Sequence, residues 1–250
     1  MLEDSVSPAG LSGDGYGQDY LNFKGWDIAD FARVKELERA YFAMEMAAFP
    51  QFRITRALDI GFGLGAFLQF GRERGWQMSG TEAIPALVDA ARAAGFDAYA
   101  ADQLASLSRN RFDLITAFDV LEHIPLTELP SFLGILATML EPNGQLLCRF
   151  PNGDSPFGRP YQNGDPTHCT VLGEARMVYL ARRAGLRVVR FAGEARPVIG
   201  KTWQKRLSRL VVRGLEVSVE PCIKHVLFPG WRFALFSPNS ICVMQPTQRG

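Results

Sequence analysis

Asp59 heads a glycine-rich run, Asp59-Ile60-Gly61-Phe62-Gly63-Leu64-Gly65, whose residue types suit ligand binding. Glycines at 61, 63 and 65 let backbone pass close to a ligand with no Cβ in the way. A phosphate-binding P-loop would continue as Gly-Lys-Ser/Thr, whereas Ala66-Phe67 follow here. A dinucleotide turn spaces its glycines as Gly-x-Gly-x-x-Gly, and this run does not. An acid beside the turn repels a pyrophosphate and suits an ammonium group. The expected ligand therefore has an amino-acid end and no phosphate. Glu82 lies 21 positions after Gly61, where a carboxylate can accept both ribose hydroxyl protons. Asp102 follows a third apolar segment, where it can accept a proton from the exocyclic amine of adenine. Three acids after three consecutive strands describe a nucleoside pocket. The plainer alternative is a set of surface acids in strand-end loops.

The elements that must position these residues alternate. Strands are predicted over 54–60, 77–81, 98–100, 112–118, 145–150, 186–191 and 240–244, with helices over 66–74, 85–94, 126–140 and 172–184. The sequence Pro142-Asn143-Gly144 reads as a turn. Such alternation gives an α/β, doubly wound, mostly parallel seven-stranded sheet with ligands at the carboxyl ends of its strands. Residues 1–50 read as an N-terminal arm and a helix over 28–49 ended by Pro50, ahead of a ligand-binding domain over 51–250. Tyr16, Tyr20, Phe23 and Trp26 in the arm could fold over a ligand as a lid or pack on that helix. Residues 192–238 interrupt the alternation as a basic, partly helical insertion.

At these motifs the chain resembles class I S-adenosylmethionine-dependent methyltransferases, over roughly residues 54–191 and the last strand. The resemblance implies the Rossmann-like methyltransferase fold and S-adenosylmethionine as cofactor. It places the methionine end on Asp59, Gly61, Gly63 and Gly65, the ribose on Glu82 and the adenine amine on Asp102. The segment Phe118-Asp119-Val120-Leu121-Glu122-His123-Ile124 is similar to the branch that includes ubiquinone-type O-methyltransferases, where Phe118 and Asp119 would line the cofactor near its sulfur. A third match covers Pro151 to Gly158, Asn163-Gly164-Asp165-Pro166-Thr167-His168 and Ala184-Gly185-Leu186. It resembles methyltransferase-like proteins encoded with bacterial surface-polysaccharide enzymes. The usual Arg-Tyr-Gly-Asp of that group is Gln162-Asn163-Gly164-Asp165 here, and its helix-start Thr is replaced within Val171-Leu172-Gly173.

Methyl transfer from a sulfonium is an in-line displacement, and a hydroxyl acceptor needs a base. Asp165 and His168, separated by Pro166-Thr167, are expected to pair as carboxylate and imidazole base. The alternative is that Asp165 caps a turn and His168 pairs with backbone. His123 ranks second as base; Asp119 and Glu122 share its loop. Arg159, Tyr161 and Asn163 could bond a polyhydroxylated substrate, although Arg159 reads more simply as solvated.

Bulk properties bound the partners. A formal charge of +1 gives no global electrostatic case for nucleic acid. Four scattered cysteines form no CxxC pair, so neither a metal nor a disulfide framework is expected. No secretory signal or bilayer-spanning run is apparent, which suggests the cytoplasm. Residues 201–213 carry Trp203, Leu207, Leu210 and Val211 among five basic residues. They read as a cover helix with a solvated face or as a peripheral contact with the inner face of an anionic membrane. The expected activity is methyl transfer to a hydroxyl of a sugar or glycan intermediate. The alternatives are O-methylation of a small aromatic or quinone precursor and a catalytically silent partner protein. Nothing in the sequence sets an oligomeric state.

Overall fold

A computed structural model describes residues 17–47, 53–199, 202–229 and 233–247. Tyr16, Pro50 and Lys201, named above, lie outside the described residues. Seven strands form one sheet: β1 (Arg56–Ile60), β2 (Gln77–Glu82), β3 (Asp97–Ala100), β4 (Phe112–Phe118), β5 (Leu140–Pro151), β6 (Leu186–Gly193) and β7 (Asn239–Pro246). Their order is β3-β2-β1-β4-β5-β7-β6. Every pairing from β3 across to β5 is parallel, and β7 runs antiparallel to both β5 and β6.

Period-two alternation assigns side chains to two buried layers. On β4, Ile115 and Ala117 enter one core, and Leu114 enters the other. On β5, Leu146, Cys148 and Phe150 join the first, and Leu147 joins the second. The first layer is completed by α5 (Leu129–Met139) and α7 (Glu174–Arg183). Helices α2 (Glu36–Met46), α3 (Ala66–Arg72) and α4 (Pro85–Ala93) cover the other face. A sheet buried on both faces explains why β1 and β4 read as near-continuous apolar runs.

The elements depart from expectation in several places. The helix predicted over 28–49 is a 3-10 turn, Ile28–Asp30, followed by α2. Between them Ala32 has φ +60°, and its N–H donates to Leu64 O at 2.7 Å, so the chain breaks to bond the glycine turn. The arm contains a helix that the sequence reading missed, α1 (Gln18–Lys24), closed by Gly25 at φ +62°. Pro142-Asn143-Gly144 is not a free turn but an irregularity inside β5: Phe112 pairs with Leu140, yet Leu114 pairs with Gln145. The loop after β5 holds a short helix, α6 (Arg159–Gly164). The insertion before β7 folds as α8 (Trp203–Ser218) and α9 (Glu220–Leu227).

Candidate functional site

The residues singled out from sequence converge at the carboxyl edge of β1 to β5, with α1 above them. The glycine turn takes the conformation that required glycine: φ is +64° at Gly61, +52° at Gly63 and +72° at Gly65. A Cβ on Gly61 would lie 2.8 Å from the Val120 side chain. On Gly63 and Gly65 it would lie 2.9 and 2.6 Å from Trp26 and Phe31. Two of the three glycines therefore make room for the arm as well as for a ligand, a packing role the sequence reading did not foresee.

Glu82, buried at the end of β2, ties the turn to the sheet. Its Oε2 accepts from Gly63 N–H at 2.8 Å, and its Oε1 from Ala83 and Ile84 N–H at 2.8 and 3.1 Å. Burial raises its pKa, and these backbone donors oppose the rise. Asp59 is 3 % exposed and accepts from the Thr116 hydroxyl at 2.7 Å. Burial pushes its carboxyl up to about 7, against the pull of that hydrogen bond. Asp102 sits exposed in the first turn of the 3-10 helix Ala101–Arg109, and its neighbour Ala101 lines the cavity.

Two open cavities meet at Gly61 and Asp119. One, about 500 Å³, is lined by Glu82, Ala83, Ala101 and His123 on the strand-two and strand-three side. The other, about 1280 Å³, is lined by the acids Asp30, Glu38, Asp59 and Asp119, by the cations Lys24, Lys35 and Arg149, and by Phe118. Groups of both charges in one cavity complement an amino-acid zwitterion, whereas the first cavity offers the carboxylate and apolar wall a nucleoside needs. Tyr20 and Trp26 line both, which places the arm over the junction.

Asp119 adopts φ +57°, unusual for a residue with a side chain. The arrangement is held by its N–H bond to Arg149 O at 2.9 Å and by a bidentate pair with the Arg149 guanidinium. Arg149 itself lies over the rings of Tyr41 and Phe118.

The loop after β5 brings Asp165, Thr167 and His168 against Glu122 and His123. The expected Asp165–His168 hydrogen bond is not made, since the closest approach is 3.8 Å. Asp165 instead accepts from Thr167 N–H at 3.0 Å, the Thr167 hydroxyl at 2.5 Å and Tyr20 OH at 3.2 Å, and pairs with Lys24 at 2.8 Å. Burial works against its charge, yet Lys24 and Thr167 hold the carboxyl well below its ordinary range. His168 Nδ1 donates to Gln162 O at 3.1 Å, so backbone fixes its tautomer. Asp165 thus caps the turn and latches α1, which uses up the lone pairs a triad-like role would need.

His123 lines the first cavity, and its Nδ1 lies 2.9 Å from the Thr167 hydroxyl. That hydroxyl donates to Asp165, so it accepts from Nδ1–H and leaves Nε2 as the lone-pair nitrogen. Burial, then the nearby His168 ring, hold His123 down at about 4, so it is neutral at physiological pH. Burial likewise lowers His168. Glu122 is buried, and neither carboxylate oxygen has a hydrogen-bond partner among the described residues. Burial and then the Asp119 charge push it well up, towards the neutral acid. Ligand-type atoms of Glu122, His123 and His168 all lie within 4.8 Å of one another, too far apart to share a proton but close enough for a divalent cation to bridge. Lys24, Thr167 and Glu122 were missed as partners from sequence. Only the fold brings residues so far apart together.

Residues 34–190 match the family described as "Methyltransferase domain". A ubiquinone biosynthesis O-methyltransferase of Xanthomonas axonopodis pv. citri is 24 % identical over 189 residues, covering 67 % of this chain and 77 % of that one. The fold superposes on an S-adenosylmethionine-dependent methyltransferase from Archaeoglobus fulgidus with a TM-score of 0.59 at 17 % identity, covering 84 % and 94 % of the two chains. It also superposes on the magnesium protoporphyrin IX methyltransferase of Synechocystis PCC 6803, solved with bound SAH, at a TM-score of 0.53 and 15 % identity, covering 92 % and 97 %. The chain belongs to the methyltransferase domain family and is a class I methyltransferase with S-adenosylmethionine as its cofactor.

Proposed function

We propose that the protein transfers the methyl group of S-adenosylmethionine to a hydroxyl of a sugar or glycan intermediate. The observation that supports this acceptor class is a third cavity, in the loop after β5, lined by Arg159, Gln162 and Asn163 beside Asn152 and Ser155. Asn152 and Ser155 are committed to the carbonyls of Ala234, Leu235 and Ser237. Arg159, Gln162 and Asn163 remain to address a substrate, and Gln162 Oε1 is buried without a partner among the described residues. Guanidinium and amide groups match a ring of hydroxyls. An aromatic acceptor would need apolar walls, and among the lining residues only Val171 supplies one.

In this reading Asp59 would hold the cofactor's ammonium, Glu82 its ribose hydroxyls and Asp102 its adenine amine, and Phe118 and Asp119 would line it near the sulfur. Tyr20 and Trp26 exclude water. Bound S-adenosylmethionine would supply an electrophilic methyl group for in-line attack by the acceptor oxygen, with S-adenosylhomocysteine as leaving group. His123 Nε2 takes the hydroxyl proton; Thr167 and Asp165 orient the ring from behind. His168 holds the far side of the cluster and moves from first to second candidate as base.

A reading as O-methylation of a small quinone-type phenol draws support from the Xanthomonas relative. Methyl-labelled S-adenosylmethionine offered with sugar nucleotides and with catechol acceptors separates the two. Label on the sugar is expected, and label on the catechol alone would sink the proposal.

A further inference from the structure

We propose that α8 and α9 form a docking surface for an anionic lipid bilayer, at the same edge of the sheet as the methyl-transfer site. An α-helix turns 100° per residue, so positions 203, 207, 210, 211, 214 and 217 share one face. That face is bare: Trp203 is 70 % exposed and Val217 71 %, with Leu207, Leu210 and Val211 exposed between them. The apolar surface extends to α9, where Val226 is 73 % exposed and Leu227 is also exposed.

The charges sort by direction. Glu216 turns inward and pairs with Arg196 at 2.9 Å. Glu220 is buried, paired with Lys224 at 3.3 Å and accepting from Phe236 N–H at 3.2 Å. No acid is exposed among the described residues of the two helices. Arg206 and Arg213, two turns apart, are exposed along one border of the apolar face. A bare apolar ridge with a cationic border and no exposed acid complements an anionic lipid surface, where the ridge enters the acyl boundary and the arginines meet head groups. No helix among the described residues is long and apolar enough to cross a membrane, so the contact lies in the plane of the interface.

Topology fixes where this surface stands. The chain leaves β6 at Gly193 and re-enters at Asn239, and these ends pair at the carboxyl edge, Gly193 with Ser240 and Pro151 with Asn239. The return segment is bonded to the acceptor loop, since Asn152 Nδ2 donates to Ala234 O at 2.8 Å and Ser237 O at 3.0 Å. A bilayer under α8 and α9 therefore meets the end of the sheet that carries the cavities, as an acceptor carried on a lipid would need. The docking itself does not depend on which acceptor is methylated.

Flotation of the full chain with phosphatidylcholine vesicles, with or without phosphatidylglycerol, tests this. Binding is expected only with the anionic lipid, and should fall as salt rises. Leu207→Glu with Leu210→Glu should abolish it. Arg206→Gln with Arg213→Gln should weaken partitioning about thirtyfold, from the usual contribution of a basic residue near an anionic surface. Circular dichroism and cofactor titration confirm that each variant is folded. Failure of the wild type to float at low salt would overturn the proposal, as would unchanged flotation of the double glutamate variant. Self-association in sedimentation that the glutamates abolish, with no lipid binding, would make the face a protein interface instead.

Discussion

Raising the pH from about 6 to about 8 should tighten cofactor binding about tenfold through Asp59. Burial holds this carboxyl at about 7 instead of 3.8. Only its carboxylate form can hold an ammonium. At pH 6 about one tenth of the protein carries that form, and at pH 8 about nine tenths, a difference of about 1.3 kcal/mol in apparent binding free energy. Calorimetry across this range, in buffers of different ionisation enthalpy, reads both the affinity and the release of about half a proton per cofactor near the midpoint. Thr116→Val removes the hydroxyl that favours the carboxylate and should move the midpoint upward. Asp59→Asn should remove the pH dependence and weaken binding by about 1.5–3 kcal/mol, the usual contribution of a charge-assisted bond. The sign for stability is the reverse of an ion-paired acid. The folded pKa is raised, so the ligand-free protein loses stability as pH rises from about 4 to about 7 and changes little through this group above that. Cofactor should therefore raise the melting temperature more at pH 8 than at pH 6. A wild-type affinity that is flat over this range, or an equal pH dependence in Asp59→Asn, would refute the reasoning.

Four further outcomes are expected. His123→Ala should lower kcat by about two to four orders of magnitude with little change in cofactor affinity, whereas His168→Ala should lose less; single-turnover assays and titration read both. Gly63→Ala should cost about 1–2 kcal/mol for the left-handed backbone, with more from the clash at Trp26, and thermal melting should record it. Lys24→Ala with Tyr20→Phe should speed cofactor release in stopped-flow displacement, because both bonds from α1 to Asp165 are removed. Chelation should leave turnover unchanged; a loss restored by Mg2+, Mn2+ or Zn2+ would put a cation between Glu122, His123 and His168.

The sheet was legible because β1, β4 and β5 are apolar runs punctuated by glycine and acid, a signal that needs no distant partner. The turn at 61–65 was legible for the same reason: left-handed backbone selects glycine locally. What depends on contacts between distant segments was not legible. Pro142-Asn143-Gly144 has turn chemistry, yet Gly144 packs against Phe112 O and becomes part of β5. The break at Ala32 follows from one bond to Leu64, and no sequence pattern records it. Asp165 and His168 lay close enough in sequence to suggest a pair. The stronger claim on Asp165 came from Lys24, 141 positions away, and that changed which histidine faces the cavity.

Asp165 belongs to the acceptor loop, yet it grips the helix that roofs the cofactor junction. The roof of the junction and the loop after β5 are thereby tied to each other. Lifting α1 would strip Tyr20 and Lys24 from the carboxylate that, through Thr167, holds the His123 ring. One anion thus serves as the shared hinge-pin of the roof over the cofactor junction and of the loop that faces it.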